Sequence, residues 1–166
     1  IGAEGAKTLV DAIPSSSLKT IKIGTSFEVN IHECNTTSLD CSNQKMGAGQ
    51  LAILSWWLST KITALVEVVN VSGNPISGTK HSNKGYGDDK VTFDTDVSGI
   101  SALGDACKKI KTLNVSNCEL GPTAVTTLAA TLSTARVAEL DLSGNELDAD
   151  ITQKIQDQNP RVRIIA

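Results

Sequence analysis

Along this chain, short stretches in which apolar residues alternate with polar ones give way within a few residues to stretches in which apolar residues recur at three and four. Leu113-Asn114-Val115 and Leu140-Asp141-Leu142 are the clearest alternating pieces, and Leu120, Val125, Leu128 and Leu132 the clearest run of the second kind. A period of two sends neighbouring side chains to opposite faces of a strand, whereas spacings of three and four gather them on one helix face. Strand, turn and helix are therefore expected to alternate along the chain.

The alternation is also a repetition. Leu113, Val115, Cys118 and Leu120 share an L-x-L-x-x-(N/C)-x-L pattern with Leu140, Leu142, Asn145 and Leu147. Val66, Val69, Val71, Asn74 and Ile76 take the places of Val137, Leu140, Leu142, Asn145 and Leu147, and Thr36, Leu39, Cys41, Gln44 and Met46 do so again. Leu18, Ile21 and Ile23 supply the opening of a copy, and Val162 and Ile164 its close. Six strand centres follow, at 21, 39, 69, 113, 140 and 162. The helical halves repeat as well: Ile1, Gly2, Ala6, Leu9 and Ile13 match Met46, Gly47, Leu51, Leu54 and Leu58, and both sets match Leu120, Gly121, Val125, Leu128 and Leu132. Ile1 falls at the last apolar place of the phrase and no initiator Met precedes it. The chain is thus expected to begin inside a repeat and to be a piece of a longer protein.

The pattern resembles leucine-rich repeats of the ribonuclease-inhibitor type. The likeness covers nearly the whole chain except roughly 24–35 and 79–95. It implies an α/β fold, a solenoid forming part of a horseshoe, with parallel strands on the concave face and helices on the convex face, in one domain over 1–166. Stacking has a physical reason. Five buried aliphatic side chains contribute about 1.5–3 kcal/mol each, while ordering more than twenty residues costs roughly 1–2 kcal/mol per residue. One copy cannot fold alone, so neighbours must share a core. Asn74 and Asn145 are expected to turn inward and bond loop backbone of the next repeat, with Cys118 in the same slot.

Three stretches break the regularity. From Ile21 to Leu39 there is too little chain for strand, helix and two turns, and Phe27-Glu28-Val29-Asn30-Ile31 alternates like an extended segment standing in for a helix. The absent helix should leave a gap on the helical side, with Trp56 and Trp57 as fillers or as an aromatic anchor for a partner. Residues 77–95 are polar and rich in turn formers, which predicts a surface insertion with Tyr86 and Phe93 as its apolar contacts. Finally, Asp94, Asp96, Ser98, Gly99 and Asp105 fall in the ligand order of a calcium loop. Val97, Ile100, Leu103 and Cys107 in the same stretch form an inward helix face, so the polar cluster reads instead as a helix cap at Asp96 or Ser98.

Composition narrows the function classes. A net charge of −3 argues against electrostatic nucleic-acid binding, and no apolar run approaches the ~20 residues that span a bilayer. Of four cysteines, Cys41, Cys107 and Cys118 fall on core positions, a usage that points to a reducing, intracellular and specifically cytoplasmic setting. The sequons at Asn70 and Asn114 arise from the strand motif itself. His32, Cys34 and Cys41 complete no zinc spacing, no phosphate loop or nucleophile elbow is present, and no catalytic residue, metal or cofactor is expected. Lys108, Lys109 and Lys111 form a basic cluster near a predicted helix end.

What remains is a face for another protein. The middle residues of the six strand units, Lys22, Asp40, Asn70, Asn114, Asp141 and Arg163, should point into the horseshoe, with Ser42, Ser72, Ser116 and Ser143 one pleat later. Trp56, Trp57 and Tyr86 form an alternative partner-binding set. The expected function is a non-enzymatic interaction or scaffolding module. The alternatives are a regulator of a small GTPase of the activating type, or a structural subunit of a large assembly.

Overall fold

The computed structural model describes residues 1–82 and 90–166. In chain order the elements are α1 (Ala3–Ala12), β1 (Thr20–Ile23), β2 (Phe27–Asn30), β3 (Ser38–Asp40), α2 (Ala48–Leu58), β4 (Val68–Asn70), β5 (Lys80–Ser82), β6 (Lys90–Thr92), α3 (Ser98–Ala106), β7 (Thr112–Asn114), α4 (Pro122–Leu132), β8 (Glu139–Asp141), α5 (Ala149–Gln158) and β9 (Arg163–Ile165). Strands β3, β4, β7, β8 and β9 form one sheet in that order. All four pairings in it are parallel. A helix separates each strand from the next, as parallel pairing requires, and the helices pack on one another in chain order from α1 to α5.

The register confirms the repeat and corrects it at both ends. Leu39, Val69, Leu113 and Leu140 lie side by side and are buried. Their neighbour in β9 is Ile164, so the last strand is centred at 164 and not at 162. Val162 ends the tight turn before β9, its N–H donating to the carbonyl of Asn159 at 3.0 Å. At the other end, the strand expected around Ile21 does not join the parallel sheet. β1 pairs antiparallel with β2, because the chain reverses through Gly24, whose φ of +78° is open to glycine at little cost. The sheet therefore has five strands.

One continuous core joins the strand residues to the inward helix residues Leu51, Leu54, Leu58, Ile100, Leu103, Val125, Leu128 and Leu132. The helices approach closely where side chains are small. A Cβ on Gly49 would overlap the Ile1 backbone, one on Gly99 the Ala48 carbonyl, and one on Gly104 the Thr131 side chain. The expected gap between α1 and α2 is thus closed at their N-terminal ends. Trp57 works at the other end of α2: it is 2% exposed, and its indole N–H donates to the carbonyl of Asn30 at 2.9 Å. It fastens the β1–β2 hairpin to the helix.

Between repeats the turns are joined by side-chain amides. The Asn74 Oδ1 accepts from the backbone N–H of Gln44 at 2.8 Å and of Met46 at 3.0 Å. Its Nδ2 donates to the carbonyls of Cys41 at 2.9 Å and Val71 at 2.7 Å. Asn145 repeats this with the N–H groups of Cys118 and Leu120 and the carbonyls of Val115 and Leu142. Both asparagines reach the preceding repeat, not the next one, since their own turns sit beside a neighbour already built. Gln44 plays the same part toward the hairpin, its Oε1 accepting from the N–H groups of Ser26 and Phe27. Cys118 donates its thiol hydrogen to the carbonyl of Val71 at 3.2 Å. All four cysteines are free, and burial pushes Cys41, Cys107 and Cys118 up to about 12.

Replacing Asn74 by Ala strands the N–H groups of Gln44 and Met46 and the carbonyl of Cys41, while the Val71 carbonyl keeps the Cys118 thiol. Each lost partner costs about 1–3 kcal/mol, so N74A is expected to lose at least about 3 kcal/mol in urea denaturation, and a loss under about 1 kcal/mol counts against the amide link. Leu128→Ala opens a cavity in the shared core and is expected to cost about 2–5 kcal/mol in the same measurement.

Candidate partner-binding face

Side chains alternate across each strand, so the sheet face away from the core carries the residues between the buried ones. Asp40, Asn70, Asn114 and Asp141 are brought into one row by the register, with Asp40 exposed and the other three half-exposed. Lys22 is exposed but lies on β1, outside the parallel sheet. Arg163 is one pleat away from the expected row: it stands opposite Glu139, while Ile165 stands opposite Asp141. Two positions predicted to give the row a cation at each end do not do so. The Arg163 guanidinium instead pairs with the Glu139 carboxylate at 2.6 Å.

The four aligned residues share one geometry. The Oδ1 of each accepts from the backbone N–H two positions on: Ser42 at 3.0 Å, Ser72 at 3.0 Å, Ser116 at 2.8 Å and Ser143 at 3.0 Å. Only a short side chain ending in an oxygen closes this ring, which explains why Asp and Asn interchange there. The Asn70 amide also donates to the Asp40 carboxylate at 3.1 Å, and the Ser143 hydroxyl to Asp141 at 2.7 Å. Hydrogen bonds from the hydroxyl and then the backbone N–H of Ser42 hold the Asp40 carboxyl below the usual carboxylate range.

The alternative set divides. Trp57 is buried in the core, whereas Trp56 is half-buried beside it. Tyr86 lies outside the described residues. The insertion that carries it is an antiparallel hairpin, β5 with β6, whose six strand residues are all exposed. Its base is tied to the turn before α4. The hydroxyls of Ser77 and Thr79 donate to the Glu119 carbonyl at 3.1 and 2.8 Å, and His81 bonds the Glu119 carboxylate at 2.9 Å. Phe93 is half-buried, its Cβ beside the backbone of Gly121.

The helix cap expected at Asp96 or Ser98 falls on neither: the N-cap of α3 is Val97, which makes no side-chain cap bond. Asp96 accepts from the N–H of Ser98 at 3.1 Å at the start of α3. Asp94 does something that sequence order did not reveal: its two oxygens accept from the N–H groups of Gly121 and Ala124, both at 2.9 Å, capping α4 of the following repeat. Glycine occupies the cap position of α4 itself, and that lack of a side-chain cap was the available signal. Among the described residues no group of three His, Cys, Asp or Glu side chains could hold a metal ion. No helix among them is long and apolar enough to cross a membrane.

Because these bonds favour the charged form, the Asp40 carboxyl titrates below its ordinary 3.8. Its contribution to stability is present above that value and lost as pH falls through the lower folded value. The carboxyl carbon shift followed by NMR should show this, and Ser42→Ala should move the midpoint back toward 3.8. An unchanged midpoint in S42A would leave the hydroxyl without a part in it.

No curated protein matches the chain. Residues 106–129, from the end of α3 through β7 into α4, match the family model described as Leucine Rich repeat, and the chain carries a leucine-rich repeat there.

Proposed function

We propose that this protein is a protein-interaction module, a leucine-rich repeat solenoid of ribonuclease-inhibitor type that offers its outward sheet face to a partner protein. The observation that carries this reading is the row of Asp40, Asn70, Asn114 and Asp141, each held by the N–H two residues on. Side chains fixed before binding lose little freedom on binding, and that lowers the cost of association. Five short strands give a face of only roughly 250 Å², against about 800 Å² per partner in a standard interface. The β5–β6 hairpin, fastened at Glu119 beside the end of β7, supplies additional surface next to it.

A second reading rests on Trp56 of α2, which is half-buried and suits a subunit held through its helices in a larger assembly. Affinity capture with mass spectrometry separates the two. Asp40→Asn together with Asp141→Asn removes charge from the face while keeping the oxygen that binds the serine N–H. This variant is expected to weaken capture of the partner roughly tenfold while W56A retains it. Loss with W56A and retention by D40N/D141N would reverse the assignment.

A further inference from the structure

The C-terminal ends of successive helices leave clefts between them. The one between α2 and α3 has a volume of about 440 Å³, and a cleft of about 350 Å³ lies at the corresponding place between α4 and α5. Such clefts are a consequence of how one repeat follows another. Their linings are not. The α4–α5 cleft carries one cation, Arg161. The α2–α3 cleft has an apolar lining of exposed Ala64 and of Ala106 over the buried Leu58, and a rim of Lys61, Lys108 and Lys109, with Asp105 as its one acidic residue.

The three lysines stand out in a chain of net charge −3. Among the described residues none of them has a carboxylate within ion-pair distance, whereas nearby Lys111 pairs with Glu67 at 2.7 Å. Lys109 is half-buried, and its ammonium donates to the Thr63 hydroxyl. Thr63 is itself fully buried and donates to the carbonyl of Leu58 at 2.8 Å. Burial lowers the Lys109 pKa from its ordinary value, against a smaller opposing effect of the nearby Cys34 thiol. Helix ends attract a lysine into the last turn. That does not account for three around one apolar lining, nor for Leu65, which is 57% exposed in the same turn as Ala64.

We propose that this cleft is a second docking site, for an acidic peptide segment of a partner protein that carries one apolar side chain. The apolar side chain would sit on the Leu58–Ala64–Ala106 lining and flanking carboxylates against Lys61, Lys108 and Lys109. Opposite charge steers such a segment to the site and fixes its register, while the lining supplies the apolar contact. The site lies at the C-terminal ends of α2 and α3 and shares no residue with the row on the sheet face.

The test is a titration of the ¹⁵N-labelled chain with the capped peptide Glu-Glu-Leu-Glu-Glu, read by NMR. Saturable shifts are expected at Lys61, Ala64, Asp105 and Lys108 and not at Asn114 or Asp141, weakening as salt is raised. Lys61→Ala with Lys108→Ala, two exposed positions whose own spectrum reports the fold, is expected to weaken binding roughly tenfold, and Arg161→Ala to leave it unchanged. The proposal falls if shifts do not saturate, if K61A/K108A binds as the native chain does, or if a lysine-for-glutamate peptide binds equally well. It falls also if inorganic phosphate alone reproduces the shifts at the same concentration, since the site would then recognise a bare anion.

Discussion

The turns that follow β3 and β7 leave backbone N–H groups at least partly buried where no strand partner can reach them, and the structure depends on how these are satisfied. Asn74 and Asn145 do it with one side chain each, the oxygen accepting two N–H groups of the preceding turn and the nitrogen donating to carbonyls on both sides. A buried amide of this kind is tolerable only with its bonds made. The neighbour must therefore sit at one distance and in one register. The left-handed turn residues obey the same restriction in alternation: Gly73 and Gly144, at φ +67° and +68°, lie against Asn43 and Asn117 of the preceding repeat, at φ +54° and +52°. Where one repeat places an asparagine side chain, the next must leave room.

The same chemistry shapes the face proposed for binding. Asp40, Asn70, Asn114 and Asp141 look like free polar groups on a solvated sheet, yet each has one oxygen engaged by its own strand end. What they can offer a partner is the second oxygen or the amide nitrogen, at a fixed position. Fold and recognition are thereby linked: a change at these positions acts on the turn as well as on the face, and substitutions that keep the oxygen are the ones that separate the two.

The insertion between β4 and α3 is held to the body by the same means. Its hairpin buries none of its strand residues, and an isolated two-stranded hairpin is marginal in water. Hydroxyls of Ser77 and Thr79, the His81–Glu119 pair and the Asp94 cap on α4 fix its base to the following repeat. An insertion that would otherwise interrupt the repeat becomes a contact between two copies of it.

Much of this was legible from periodicity alone. The strand centres at 39, 69, 113 and 140, the inward helix faces, the outward row and the core role of three cysteines all follow from side-chain alternation, which is a local property of the backbone. The sequence by itself thus determined which residues are inside and in what order the elements come. Only the tertiary structure decided the partners. It showed that the segment around Ile21 folds back on β2 and not into the sheet, that β9 pairs through Ile164 and carries Arg163 to Glu139, and that Trp57 closes on Asn30. It also showed that Asp94 caps a helix 27 residues further on. Each of these depends on a backbone group or charge brought near from elsewhere in the chain, and residue spacing carries no record of that proximity.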